Sequence, residues 1–214
     1  MHAVHYVPVR ISGRYLVDLP DGDGPFGLLA GFHGYGQTAE DELALLKSIR
    51  GQRPWCCCAI EALHHFYGRG GKPGASWMTS RDRQRRIDEN IRYTDDVLSH
   101  LRQHVPLNET MVLHGFSQGT AMAVRGALLG DRSVSGVMLC GGDIPMEFAD
   151  LQGLNRVHLA RGRRDRMYKE HLFERDGSRL REAGVAYEAC LFNGAHDAAD
   201  RYPIEAGSFL DFFV

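Results

Sequence analysis

Met111-Val112-Leu113-His114-Gly115-Phe116-Ser117-Gln118-Gly119-Thr120-Ala121-Met122-Ala123 is the stretch whose reading decides the fold. It begins as a short apolar run without alternation, which fits a strand buried on both faces of a parallel sheet. It ends in small residues that continue as a helix through Leu129. Between the two, Ser117 has Gly115 two places before it and Gly119 two places after. A hydroxyl is a poor nucleophile unless it is held exposed beside a base. A strained strand-to-helix turn holds it so, and the glycines leave room where the strand and helix backbones nearly touch. In a chain with 25 glycines a bare Gly-x-Ser-x-Gly also arises by chance, as an ordinary turn. The flanking strand and helix therefore carry the reading.

Outward from this turn the same alternation repeats. Short apolar runs lie at 28–32, 55–60, 111–113, 137–140, 157–159 and 187–192. Helical stretches separate them. The clearest places Ile87, Ile91, Leu98, Leu101 and Val105 on one face of a 3.6-residue period and stops at Pro106. Thr38 is positioned to cap a helix through Leu43, Leu46 and Ile49, with Asp41 three residues on. Residues 167–183 and 202–213 complete the helical set. Residues 4–11 and 14–19 read as an antiparallel hairpin turning at Ser12-Gly13. The expectation is one α/β domain over residues 1–214, with a mostly parallel central sheet, helices on both faces, and an N-terminal antiparallel hairpin.

In such sheets ligands bind outside the carboxyl ends of the strands, so motifs at those ends matter most. His33-Gly34-Tyr35-Gly36-Gln37 follows the 28–32 run. Attack on an ester creates an oxyanion that needs preorganised N–H donors. The backbone N–H groups of Gln118 and Tyr35 are the candidates, with His33 shaping the loop. A plain Gly-rich turn is the alternative. The base and its orienter should follow in the order Ser, acid, His. Asp165 follows the 157–160 strand and His196 follows the 187–192 strand. His196 would take the Ser117 proton and Asp165 would hold the imidazole tautomer. A surface charge paired with arginines and a solvated loop histidine are the plainer readings of these two. Asp197 and Asp143 are rival acids.

Composition narrows the classes. A formal net charge of −2 gives no electrostatic case for nucleic acid or a membrane surface as partner. No apolar run approaches the roughly 20 residues of a membrane span, and the start has no basic or apolar leader pattern. A cytoplasmic protein acting on a small-molecule ester is the expectation, with a homodimer open. The five cysteines lack a disulfide or Cys-x-x-Cys pattern and read as small hydrophobes in buried strands rather than a zinc site.

Taken together, His33-Gly34-Tyr35-Gly36, Gly115-Phe116-Ser117-Gln118-Gly119, Gly162-Arg163-Arg164-Asp165 and Gly194-Ala195-His196-Asp197 resemble the carboxylesterase/phospholipase family that includes the acyl-protein thioesterases. The resemblance implies the α/β-hydrolase fold without a large cap domain and ester or thioester substrates. It also implies a Ser117–Asp165–His196 triad, oxyanion donors at Tyr35 and Gln118, and no metal or other cofactor. Gly70-Gly71-Lys72-Pro73-Gly74-Ala75-Ser76-Trp77 resembles the family's pocket-lining loop. Two departures concern substrate identity: Met78-Thr79 follow the Trp where Phe-Asp is frequent, and His114 stands where a small residue is usual. His114 reads as a packed strand-end residue.

The remaining motifs bear on the substrate. Arginines cluster at 81, 83, 85 and 86 and again at 161, 163, 164 and 166. A solvated face is the ordinary reading; the sharper one has Arg163 or Arg164 meeting an anionic substrate group. His64, His65 and Phe66 follow a strand end and are candidate pocket residues, as are His33 and Trp77. Tyr35, Phe66, Tyr67 and Trp77 would supply an apolar wall for short or medium acyl groups. His100 and His104 have metal-pair spacing but no intervening Glu, and read as surface histidines. The function expected is hydrolysis of carboxylic or thio esters through an acyl-enzyme. An amide or peptide hydrolase using the same residues, and a non-catalytic ligand-binding member of the fold, stand as alternatives.

Overall fold

Each of the non-alternating apolar runs forms a strand in a computed structural model, which describes residues 2–198 and 201–213. The chain begins with β1 (Tyr15–Asp18), β2 (Phe26–Phe32), α1 (Ala39–Arg50) and β3 (Trp55–Ile60). A short excursion, β4 (His64–Tyr67) and β5 (Pro73–Ser76), leads into the long α2 (Arg83–His104). Then β6 (Leu107–Phe116), α3 (Gln118–Leu129), β7 (Gly136–Cys140), β8 (Arg156–Gly162), α4 (Glu170–Glu182), β9 (Ala186–Phe192) and α5 (Tyr202–Leu210) follow. Local chemistry sets several boundaries. The Thr38 N–H donates to the Asp41 carboxylate at 3.0 Å and so closes the start of α1. Pro106 lies just past the end of α2, and Pro203 in the first turn of α5, where its missing N–H costs nothing.

Among the described residues seven strands form one sheet, in the order β1-β3-β2-β6-β7-β8-β9. All neighbours from β3 to β9 pair in parallel, and β1 pairs antiparallel with β3. The antiparallel partner at the N-terminal edge differs from the hairpin expected: residues 4–11 carry no strand, and β1 takes β3 instead, Tyr15 opposite Ile60. Val7, Val9 and Ile11 alternate as a strand would, yet they lie exposed. Alternation signals a half-buried strand only where a sheet edge is at hand to pair with it.

The sheet sorts its side chains by parity. Leu28, Ala30 and Phe32 of β2 face a core shared with α2, α3 and α4, while Leu29 faces a second core against α1 and α5. The consecutive cysteines follow the same rule, with Cys56 and Cys58 in the first core and Cys57 in the second. All five cysteines are free, and all but Cys190 are buried. Parallel pairing also brings Phe32 beside Gly115, Phe116 beside Cys140, and Cys140 beside Ala160. The carboxyl ends of β2, β6, β7, β8 and β9 therefore lie side by side along one edge. No helix among the described residues is long and apolar enough to cross a membrane.

Candidate active site

Ser117 lies between β6 and α3 with φ 52° and ψ −116°, a positive-φ backbone that a non-glycine residue adopts only at a cost of about 1–3 kcal/mol. The surroundings hold it there. The Ser117 N–H donates to the Cys140 carbonyl on the neighbouring strand at 2.8 Å. A Cβ on Gly119 would lie 1.8 Å from the Phe32 carbonyl oxygen, and one on Gly115 would lie 2.3 Å from the Gly119 oxygen. The first turn of α3 thus presses against two strand ends. That contact permits the tight turn that presents the Ser117 side chain at the sheet edge.

Loops from the two strands beyond β7 reach the same hydroxyl. The Ser117 Oγ lies 2.9 Å from His196 Nε2, and His196 Nδ1 lies 2.8 Å from Asp165 Oδ2. A carboxylate only accepts, so His196 carries its proton on Nδ1 and offers Nε2 as acceptor to Ser117. Asp165 is itself buried. Its other oxygen accepts the Met167 and Tyr168 N–H groups at 2.8 and 3.0 Å. Buried Arg161 braces this loop from beneath, donating Nε to the Tyr168 carbonyl at 2.7 Å and Nη2 to the Asp165 carbonyl at 3.1 Å. The His196 ring rests on Phe116, centroids 5.3 Å apart. A cleft of about 470 Å³ opens beside it, lined by Gln37, Leu45, Phe116, His196 and Pro203 among others.

Gln118 directly follows Ser117, and Tyr35 lies on the loop between β2 and α1. Gln118 opens α3, so its N–H has no intrahelical partner. Tyr35 is exposed and stacks on Phe66, centroids 5.0 Å apart. His33 is wholly buried beneath this loop: Nδ1 donates to the Gly34 carbonyl at 2.7 Å, and Nε2 accepts the Ala62 N–H at 3.1 Å. Burial pushes its pKa below the ordinary value and favours this neutral form. With both nitrogens occupied it shapes the loop and presents no surface to a substrate. Trp77 is likewise fully buried rather than part of a pocket wall.

Other candidates lie elsewhere. His65 and Phe66 line a separate hollow of about 260 Å³, and His64 lines a cavity of about 660 Å³ between α2 and the N-terminal segment. Ser117 and His196 border neither. Arg163 and Arg164 are exposed on the Asp165 loop, with Arg164 bonded to the Asn193 side chain. Asp143 pairs with Arg175 at 3.3 Å. His100 and His104 sit side by side on an exposed face, where His100 Nδ1 lies 2.6 Å from the Tyr15 hydroxyl.

One group escapes any reading of local pattern. His114 is fully buried, with Glu42 Oε1 at 2.6 Å from Nδ1 and the Tyr202 hydroxyl at 3.0 Å from Nε2. These partners stand 72 and 88 residues away. The single signal in the sequence is His114 occupying a position where a small residue is usual.

A model of the phospholipase/carboxylesterase family matches residues 29–170. That span holds Tyr35, Ser117 and Asp165 and ends before His196. Among solved structures, esterase PE8 superposes with a TM-score of 0.76 over 96% of this chain and 100% of its own, at 24% identity. The Bacillus cereus carboxylesterase gives 0.75 over 94% of this chain and 95% of its own, at 15% identity. A carboxylesterase from Mesorhizobium loti gives 0.71 over 86% and 88%, at 19% identity. Likeness at these identities speaks for the α/β-hydrolase fold. No curated protein matches the sequence.

Proposed function

The chain belongs to the phospholipase/carboxylesterase family, and from that premise we propose that it is a serine esterase acting on carboxylic or thio esters of short to medium acyl groups, with Ser117 as nucleophile, His196 as general base and Asp165 as its orienter. The observation that carries this reading is the unbroken chain from Ser117 Oγ through both His196 nitrogens to Asp165, at 2.9 and 2.8 Å. Two-step acyl transfer follows. Ser117 Oγ attacks the ester carbonyl while its proton passes to His196 Nε2, and the imidazolium is stabilised by Asp165. The carbonyl oxygen becomes an oxyanion, received by the N–H groups of Tyr35 and Gln118. Collapse expels the alcohol or thiol, which takes the proton from His196, and leaves an acyl group on Ser117. Water then gives a proton to His196 as its oxygen attacks the acyl carbonyl, and collapse releases the carboxylic acid as the Ser117 oxygen takes that proton back from His196.

The buried Asp165 supports the reading. A surface carboxylate has no need of three donors, whereas an orienter must have its unused oxygen fixed so that the other faces the histidine. The cleft beside His196, of about 470 Å³ and lined by Leu45, Phe116 and Pro203 among others, supports short or medium acyl chains. Ser117→Ala is expected to abolish p-nitrophenyl acetate hydrolysis and fluorophosphonate labelling while leaving thermal unfolding unchanged. Retention of either activity would overturn the assignment of Ser117.

A further inference from the structure

If the protein is an esterase as proposed above, its two oxyanion donors come from positions 35 and 118, on loops that follow different strands. A hole made of two donors works only when their spacing is preset, because donors that must first move into place lose their advantage over water. We propose that Trp77 is the positioning residue that sets this spacing, clasping the loop after β2 to the first turn of α3.

Trp77 bonds to both sides. Its backbone N–H donates to Gln118 Oε1 at 2.8 Å, and its indole Nε1–H donates to the His33 carbonyl at 2.9 Å. The His33 carbonyl belongs to the peptide unit leading into Gly34-Tyr35, so the indole fixes the direction from which the Tyr35 N–H enters. A third anchor holds Trp77 itself. Asn90, buried on α2, donates Nδ2 to the Trp77 carbonyl at 2.6 Å. The ring packs edge-on against Phe32, centroids 5.4 Å apart, which fixes the indole plane. Preceding residues lace the same two loops: Gly36 N–H donates to the Ala75 carbonyl at 2.9 Å, Ala75 N–H to the Gln37 carbonyl at 3.0 Å, and the Ser76 hydroxyl contacts the Gln118 carboxamide at 3.2 Å. Being fully buried, Trp77 meets no substrate, and none of its bonds reaches Ser117, His196 or Asp165. Its effect must pass through the donors.

Two substitutions test this. Trp77→Phe keeps an aromatic ring and removes the indole donor; Gln118→Met keeps the side-chain length and removes the acceptor. The measurements are kcat and KM on p-nitrophenyl butyrate, and the affinity of an aryl trifluoromethyl ketone, whose hemiketal oxyanion occupies the hole. Removing a donor outright costs roughly 10²–10³ in kcat, so loosening one is expected to cost roughly tenfold to a hundredfold. The ketone affinity should fall in parallel with kcat/KM, with KM within about threefold of wild type. The double variant should lose little beyond the worse single one, because both break the same clasp. A Trp77→Phe protein that labels stoichiometrically with fluorophosphonate yet keeps kcat and ketone affinity within about twofold would overturn the proposal. So would a loss confined to KM. If Trp77→Phe does not fold, Gln118→Met decides on the same two readouts. A wild-type protein that neither turns over esters nor labels at Ser117 would instead sink the esterase reading itself.

Discussion

Asp165→Asn separates orientation from mere proximity. Asp165 Oδ1 accepts two backbone N–H groups at 2.8 and 3.0 Å, and Oδ2 faces His196 Nδ1 at 2.8 Å. An asparagine in this place has two orientations. With its oxygen toward Met167 and Tyr168 it keeps both backbone bonds and turns its NH₂ toward His196. With the reverse it points NH₂ hydrogens at two N–H groups and leaves those groups unsatisfied, at about 1–3 kcal/mol each. The first orientation therefore dominates. Its NH₂ donates to Nδ1, which forces the imidazole proton onto Nε2, where it can no longer accept from Ser117. Wrong-tautomer triads lose on the order of 10⁴ in kcat, which is about 5 kcal/mol of transition-state stabilisation. Steady-state turnover of p-nitrophenyl butyrate reads the loss, and thermal unfolding should be nearly unchanged because both backbone bonds survive. Asp143→Asn, whose carboxylate pairs with Arg175, is the control and should stay within about twofold of wild type. Turnover by Asp165→Asn within tenfold of wild type would refute the orienting role and reopen the choice of acid.

Two other outcomes follow from packing and burial. In Gly119→Ala the new methyl would lie 1.8 Å from the Phe32 oxygen and 2.9 Å from the His33 oxygen. No rotamer relieves a backbone clash, so urea unfolding should show a loss of about 3 kcal/mol, and ester turnover should fall roughly a hundredfold as the elbow shifts; a variant equal to wild type in both would show that the contact yields freely. Burial pushes the His158 pKa down to about 4. Between an unfolded value of about 6.5 and that folded value only the unfolded chain takes the proton, so stability is intact above pH 6.5 and falls by roughly 3 kcal/mol as pH drops to 4. His158→Leu should remove that part of the pH dependence in urea titrations at pH 7 and 5, and an unchanged slope would contradict it.

Much of the fold was legible because its signals are local. Continuous apolar runs, a capping Thr38 and a stopping Pro106 each act within a few residues, and they mark the strands of the parallel sheet and the helices between them. The hairpin expected at residues 4–19 failed because alternation alone does not supply a partner strand. β4 and β5 went unread because His64-His65-Phe66-Tyr67 is short and polar, and it pairs only by facing the Gly-rich segment after it. The order of Ser117, Asp165 and His196 was legible from strand ends, and the fold brings those three side chains together. Trp77 and His33 were misplaced on a pocket wall, since an aromatic residue in a loop near a site looks alike whether it turns inward or outward.

The histidines show the division most plainly. The chain has 11 of them, and His33, His114 and His196 all stand at or near a strand's carboxyl end. Sequence determined the alternation of strands and helices, the Gly-flanked turn at Ser117, and the placing of candidate residues at one edge, because sterics and periodicity act over short spans. Tertiary structure decided which imidazole is available. His33 has both nitrogens bonded to backbone, His114 has both engaged by Glu42 and Tyr202, and His196 alone of the three lies between Ser117 and Asp165. A buried hydrogen bond joins whatever the fold brings within about 3 Å, and for His114 the partners come from residues 72 and 88 positions away, beyond the reach of any local pattern.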